Sequence, residues 1–103
     1  MLTTTGDVWP FGDPRNVATF TVRQIAQDGH PILRVTHDSE DGAWQFLEWE
    51  TPRVEDAMVV SLEEIMQLDP SIRELANLPL GWRAIGRSRT EPWHREPNLI
   101  DWN

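Results

Sequence analysis

Residues 57–70 read Ala57-Met58-Val59-Val60-Ser61-Leu62-Glu63-Glu64-Ile65-Met66-Gln67-Leu68-Asp69-Pro70, and the chain changes its secondary structure in the middle of them. Ala57 to Val60 is a short apolar run of strand character. At Ser61 the pattern becomes a helix start. The Ser61 hydroxyl can accept the Glu64 amide proton while the Glu64 carboxylate reaches back, a capping box. Leu62, Ile65 and Met66 then recur at helical spacing. Asp69-Pro70 opens a second helix, with Asp69 as N-cap and Pro70 at the first helical position. Ile72, Leu75 and Ala76 form its buried stripe, and Leu78-Pro79-Leu80-Gly81 ends it.

Upstream of this switch the chain reads as strands. In Val17–Ile25, Ala18, Phe20 and Val22 alternate with Thr19, Thr21 and Arg23, the period of a half-buried strand. Asp28-Gly29 is a turn signal. Pro31 to Thr36 is a second short strand, Asp38 to Gly42 a polar loop, and Ala43 to Trp49 a third strand with Trp44 and Phe46 on one face and Leu47 and Trp49 on the other. Downstream, Gly81 to Arg87 is a last strand with Trp82 and Ala84 sharing a face. Strands in a run followed by helices predict an α+β fold: a mainly antiparallel sheet of about four to five strands with two short helices on one face. A chain of 103 residues is one domain, 1–103. Within it, 1–16 is an irregular arm whose Trp9 and Phe11 should fold back on the core, 17–87 is the core, and 88–103 is an irregular tail.

Charge is distributed unevenly. The net charge is −8, and the stretch from Asp38 to Glu64 accounts for all of it, with nine acids against the single base Arg53. An acidic chain repels nucleic-acid phosphates, so no nucleic-acid partner is expected. No cysteine is present, which removes disulfides, thiol catalysis and cysteine-bound metals. The N-terminus has neither the basic nor the apolar region of a signal peptide, and no apolar run approaches a membrane span, so a cytoplasmic protein without a membrane partner is expected.

The candidate chemistry is thin. Asp38 and Glu40 fit the first two acidic positions of a calcium loop, but Gly42 comes one residue early and Trp49 occupies the twelfth position, so a hairpin loop is the better reading. A small metal- or ligand-binding enzyme site would need a trio such as His37, Asp38 and Asp41 to converge. Glu48 and Glu50 on one strand read as a solvated face. No serine sits in a nucleophile elbow, and no glycine loop suits a phosphate. No catalytic residue, no metal ligand and no cofactor is assigned.

Val35-Thr36-His37-Asp38 followed by Asp41-Gly42-Ala43-Trp44-Gln45-Phe46-Leu47, with Val60 to Ile65, Leu68 to Ser71 and Leu78-Pro79-Leu80-Gly81-Trp82-Arg83-Ala84 further on, resembles a family of small bacterial proteins of unknown function. The pattern is also loosely similar to immunity-type domains. The resemblance spans residues 17–95 and implies no established activity and no functional residues. The reading that follows is a non-enzymatic accessory domain that binds a basic protein partner through Asp38, Glu40, Asp41, Glu55 and Asp56, with Trp49 as an anchor, because clustered charge steers association. The alternatives are the His37 loop enzyme and a structural homo-oligomer burying Trp49 or Trp93. The oligomeric state is not specified by the sequence.

Overall fold

The computed structural model describes residues 8–88 and 90–98. Its elements are β1 (Ala18–Val22), α1 (Arg23–Ala26), β2 (Arg34–His37), β3 (Trp44–Leu47), β4 (Ala57–Ser61), α2 (Leu62–Leu68), β5 (Trp82–Ile85) and β6 (His94–Pro97), with short 3-10 segments at Val54–Asp56 and Pro70–Leu75. The fold is α+β, as the element order predicts. The expectation of a mainly antiparallel sheet of four to five strands is corrected on both counts: the sheet has six strands, in the order β4-β1-β3-β2-β5-β6, and it is mixed, because β1 and β3 run parallel.

The parallel pair arises from where a hairpin docks. β2 and β3 are joined by the loop 38–43, in which the Gly42 amide donates to the Asp38 carbonyl at 3.0 Å and Gly42 has a φ of 74°, a conformation favoured by glycine. That hairpin inserts β3 beside β1, so two strands that read as separate sequence runs become parallel neighbours. The sixth strand comes from the tail expected to be irregular. Its placement rests on Glu96, which receives the Arg83 guanidinium from β5 with Nε at 2.7 Å, and on Arg95, which donates to the Asn77 side chain at 2.6 Å. Gly86 contributes space: a Cβ there would stand 3.1 Å from the Trp93 ring, so the indole lies flush on the backbone leading out of β5.

The helix signals behave as read. Ser61 and Glu64 form the capping box, and Asp69 caps the next segment by accepting from the Ser71 amide at 3.1 Å, although Pro70–Leu75 winds as a 3-10 helix rather than an α-helix. Leu62, Ile65, Ile72 and Leu75 are buried against Val35, Trp44, Phe46 and Ala84 of the sheet. Phe11 of the arm joins this core edge-on to Trp44, with ring centroids 5.4 Å apart.

β1 departs from its hydropathy pattern. Thr19 and Thr21 face the helices and are fully buried, while Phe20 points to the opposite face and is 45% exposed. Burial of the two threonines is satisfied: Thr19 Oγ1 donates to the Val60 carbonyl at 2.8 Å and Thr21 Oγ1 to the Phe46 carbonyl at 2.7 Å. The strand also stops early. Residues 23–26 turn into α1, and Arg23 and Gln24 both reach Asp56 at 2.9 Å.

Candidate anion-binding site

Alternation along β2 sends Val35 and His37 toward the helices and Arg34 and Thr36 toward the open face of the sheet. The register then gathers polar groups around Thr36. Gln45 of β3 and Arg83 of β5 are its direct cross-strand partners, and Arg34 lies opposite Leu47 and Ile85. Arg34 and Arg83 are therefore diagonal neighbours on one face, within reach of each other for long side chains. The connection after β3 brings Thr51 and Pro52 over this spot, and Asn98 lies beside it, enclosing a hollow of about 250 Å³.

The bonding in this hollow is incomplete. Thr36 is 8% exposed, and its hydroxyl is buried without a hydrogen-bond partner; Arg34 Nε is buried in the same condition. Arg34 makes one long contact, from a terminal nitrogen to the Glu50 carbonyl at 3.5 Å. Arg83 is engaged by Glu96, which also accepts from His94 Nε2 at 3.0 Å. Burial, and then the neighbouring Arg83 charge, lowers the Arg34 pKa, so the guanidinium is held in a place that disfavours its charge. The Glu96 carboxyl lies below the usual carboxylate range, chiefly through the Arg83 hydrogen bond and then that from His94. Among the described residues the Arg34 guanidinium has no carboxylate partner, and Leu47 and Pro52 give the hollow an apolar wall.

The acids that the sequence singled out do not converge. Asp38, Glu40 and Asp41 sit in the hairpin loop at the His37–Trp44 end of the sheet, where Asp38 Oδ1 accepts from the Glu40 amide at 2.8 Å and Asp41 Oδ1 from the Ala43 amide at 2.9 Å. Glu55 and Asp56 lie at the other end, together with half-exposed Trp49. Glu55 pairs with Arg53. Asp56 is buried, and its carboxyl is held below the usual range first by the Gln24 hydrogen bond and then by that of Arg23. Glu48 pairs with His30 at 2.7 Å and Glu63 with Arg15 at 3.1 Å.

His37 stacks on Trp44 at 3.8 Å, and its Nδ1 donates to the Leu78 carbonyl at 2.8 Å, so it serves the packing between sheet and helices. Among the described residues no group of three or more His, Asp and Glu side chains is placed to hold a metal ion. Trp93 packs against the core. No helix among the described residues is long and apolar enough to cross a membrane.

Arg34, Thr36 and Arg83 carry no weight in a linear reading. The one signal for them is an arginine in the middle of an apolar strand in two places, Ile32-Leu33-Arg34-Val35 and Trp82-Arg83-Ala84-Ile85. Comparison with protein-family models, curated proteins and solved structures finds no match to this chain, so its functional reading rests on the residues themselves.

Proposed function

We propose that this chain is a non-enzymatic binding domain that takes an anionic group, a carboxylate or a phosphate, into the hollow between Arg34 and Arg83. The supporting observation is the pair of unpartnered buried groups there, Thr36 Oγ1 and Arg34 Nε. A buried polar atom without a partner costs free energy that a bound acceptor returns, so these two groups favour an acceptor placed beside them. The carboxylate of Glu96 is already engaged by Arg83 and His94, which leaves it poorly suited to proton transfer and better suited to fixing Arg83 in place. Titration with sodium acetate and with sodium phosphate, against sodium chloride at equal ionic strength, tests this reading by amide chemical shifts. Residues 34–36, 45 and 83 should respond in the wild type and fall silent in Arg34→Gln and Thr36→Val. Shifts indistinguishable from those in chloride refute it.

A second reading retains a basic protein partner. Asp38, Glu40 and Asp41 have no arginine partner among the described residues, whereas Glu55, Asp56 and Glu63 each have one. The hairpin tip thus gathers three acids without an arginine partner among the described residues, and it is the part of an immunity-like accessory domain that would steer a cationic surface. Charge reversal at Asp38 and Asp41 should weaken such binding in a salt-dependent way, and reversal at Glu55 should leave it unchanged. Equal effects at both ends contradict this assignment.

A further inference from the structure

The register places one residue from each strand in a single row across the open face. Val59 faces Phe20, Phe20 faces Gln45, Gln45 faces Thr36, Thr36 faces Arg83, and Arg83 faces Glu96. The row is therefore apolar at the β4–β1 end and cationic at the β2–β5 end. On its two flanks the surroundings differ. Toward the Leu47 end, Val22 and Leu47 of the neighbouring row are buried and line a second hollow together with Pro52 and Arg53 of the connection 48–56. The middle row is uncovered beyond the hollow, and Phe20 and Val59 are 45% and 62% exposed there. A phenylalanine and a valine paired side by side in the open, beside a hollow with unfilled donors, make one continuous amphipathic track.

The hollow is small. Its volume of about 250 Å³ admits a head group and little else, so whatever carries the anion must continue along the surface. Charge excludes most directions. The chain is strongly acidic, and an acidic ligand finds excess positive charge at Arg34, which has no carboxylate partner among the described residues. From that point the uncovered apolar surface leads toward Phe20.

Resting on the anion-site reading above, we propose that the ligand is an acidic segment of a partner protein. It lies across the strands in extended form, with a carboxylate between Arg34 and Arg83 and an apolar side chain on Phe20 and Val59. The spacing follows from the sheet. Thr36 and Phe20 are separated by two strand intervals, roughly 9.5 Å. A polyproline-type segment returns to the same side every third residue with a rise of about 9.3 Å. An acid and an apolar residue with two residues between them fit the track, and the Gln45 carboxamide lies midway, where it can meet a peptide group.

Blocked peptides test this on the full chain: acetyl-Glu-Pro-Pro-Phe-amide, the same peptide ending in serine, and the same peptide beginning with glutamine. Affinities are read from amide shifts, with acetate as reference. The first peptide should bind about tenfold tighter than the serine version, the gain expected from covering one aromatic side chain. Phe20→Ser should remove that gain and leave the acetate response intact, Val59→Ser should remove part of it, and Arg34→Gln should abolish binding of both peptide and acetate. Equal affinity for the phenylalanine and serine peptides, or a gain that survives Phe20→Ser, overturns the proposal while an intact acetate response leaves the anion site standing. Loss of the acetate response as well refutes both. A dimer in sedimentation that Phe20→Ser dissolves and that excludes the peptide also overturns it, because a second copy would then occupy the track.

Discussion

The two faces of the sheet are built from the same strands and obey different rules. On the covered face Val35, Trp44, Phe46 and Ala84 are buried beneath α2 and the 3-10 segment, and its buried threonines, Thr19 and Thr21, have both donated their hydroxyl protons. On the open face an apolar pair stands in solvent, and a buried threonine and a buried guanidinium nitrogen have no partner. The two threonines of the covered face have their bonds made, whereas Thr36 Oγ1 and Arg34 Nε, like Asp69 Oδ2 at its helix cap, do not, a cost that folding tolerates and that a ligand on the open face can relieve.

Truncation of one large side chain on each face should separate the two. Phe46→Ala should cost about 3–5 kcal/mol in urea denaturation, because it leaves a cavity under the helices. Phe20→Ser should stay within about 0.5 kcal/mol of wild type, as an exposed position does. Comparable losses at the two sites would mean that the open face is covered in solution.

Gly86→Ala probes the join between the core and the tail strand. A methyl group against the Trp93 ring should cost about 1–3 kcal/mol and loosen β6 selectively, read as faster amide exchange at residues 94–96 than in β2 and β3. Uniform exchange across the sheet would show that β6 does not depend on that contact.

The paired threonine substitutions should differ in sign. Thr21→Val leaves the Phe46 carbonyl without its 2.7 Å donor and should destabilise by about 1 kcal/mol. Thr36→Val removes an unpartnered hydroxyl and should be neutral or stabilising while it abolishes anion binding. A destabilising Thr36→Val would indicate that the hydroxyl is satisfied in solution.

The smallest effect is expected in the pH dependence at the acidic end of the sheet. The folded-state pKa of Asp56 is depressed by Gln24 and Arg23, so its stabilising contribution is present above the unfolded value near 3.9 and is lost as pH falls through the lower folded value. Asp56→Asn should therefore lower the melting midpoint at pH 7, and the gap from wild type should narrow below about pH 4. A gap that stays constant through that range would assign the effect to packing rather than charge.

Much of the fold is legible in linear form. The capping box at Ser61 and Glu64, the Asp69-Pro70 start and the alternation of Trp44 and Phe46 each depend on residues close in sequence, where local geometry decides. The candidate site is a different matter. Its arginines are 49 positions apart, and each taken alone looks like an ordinary half-buried strand residue. They meet because β2 pairs with β5 in one register, and a shift of one residue would send Arg83 to the helix face. The same dependence explains the divided acids: Asp38, Glu40 and Asp41 are carried to one end of the sheet and Glu48, Glu50, Glu55 and Asp56 to the other by β3 and its flanking loops, while Glu63 and Glu64 open α2.

Composition and local pattern alone thus pointed to the α+β class, the capped starts at Ser61 and Asp69 and the absence of cysteine chemistry, because propensity, capping and side-chain type act over a few residues, whereas α1, which reads as strand, and the 3-10 winding of Pro70–Leu75 did not follow from them. Tertiary structure decided which face of β1 is buried, that β1 and β3 run parallel, that residues 94–97 form a sixth strand, and that Arg34, Thr36 and Arg83 surround one hollow. Those outcomes depend on strand register and docking, which are energies of contact between distant segments and have no counterpart in the chain read one residue at a time.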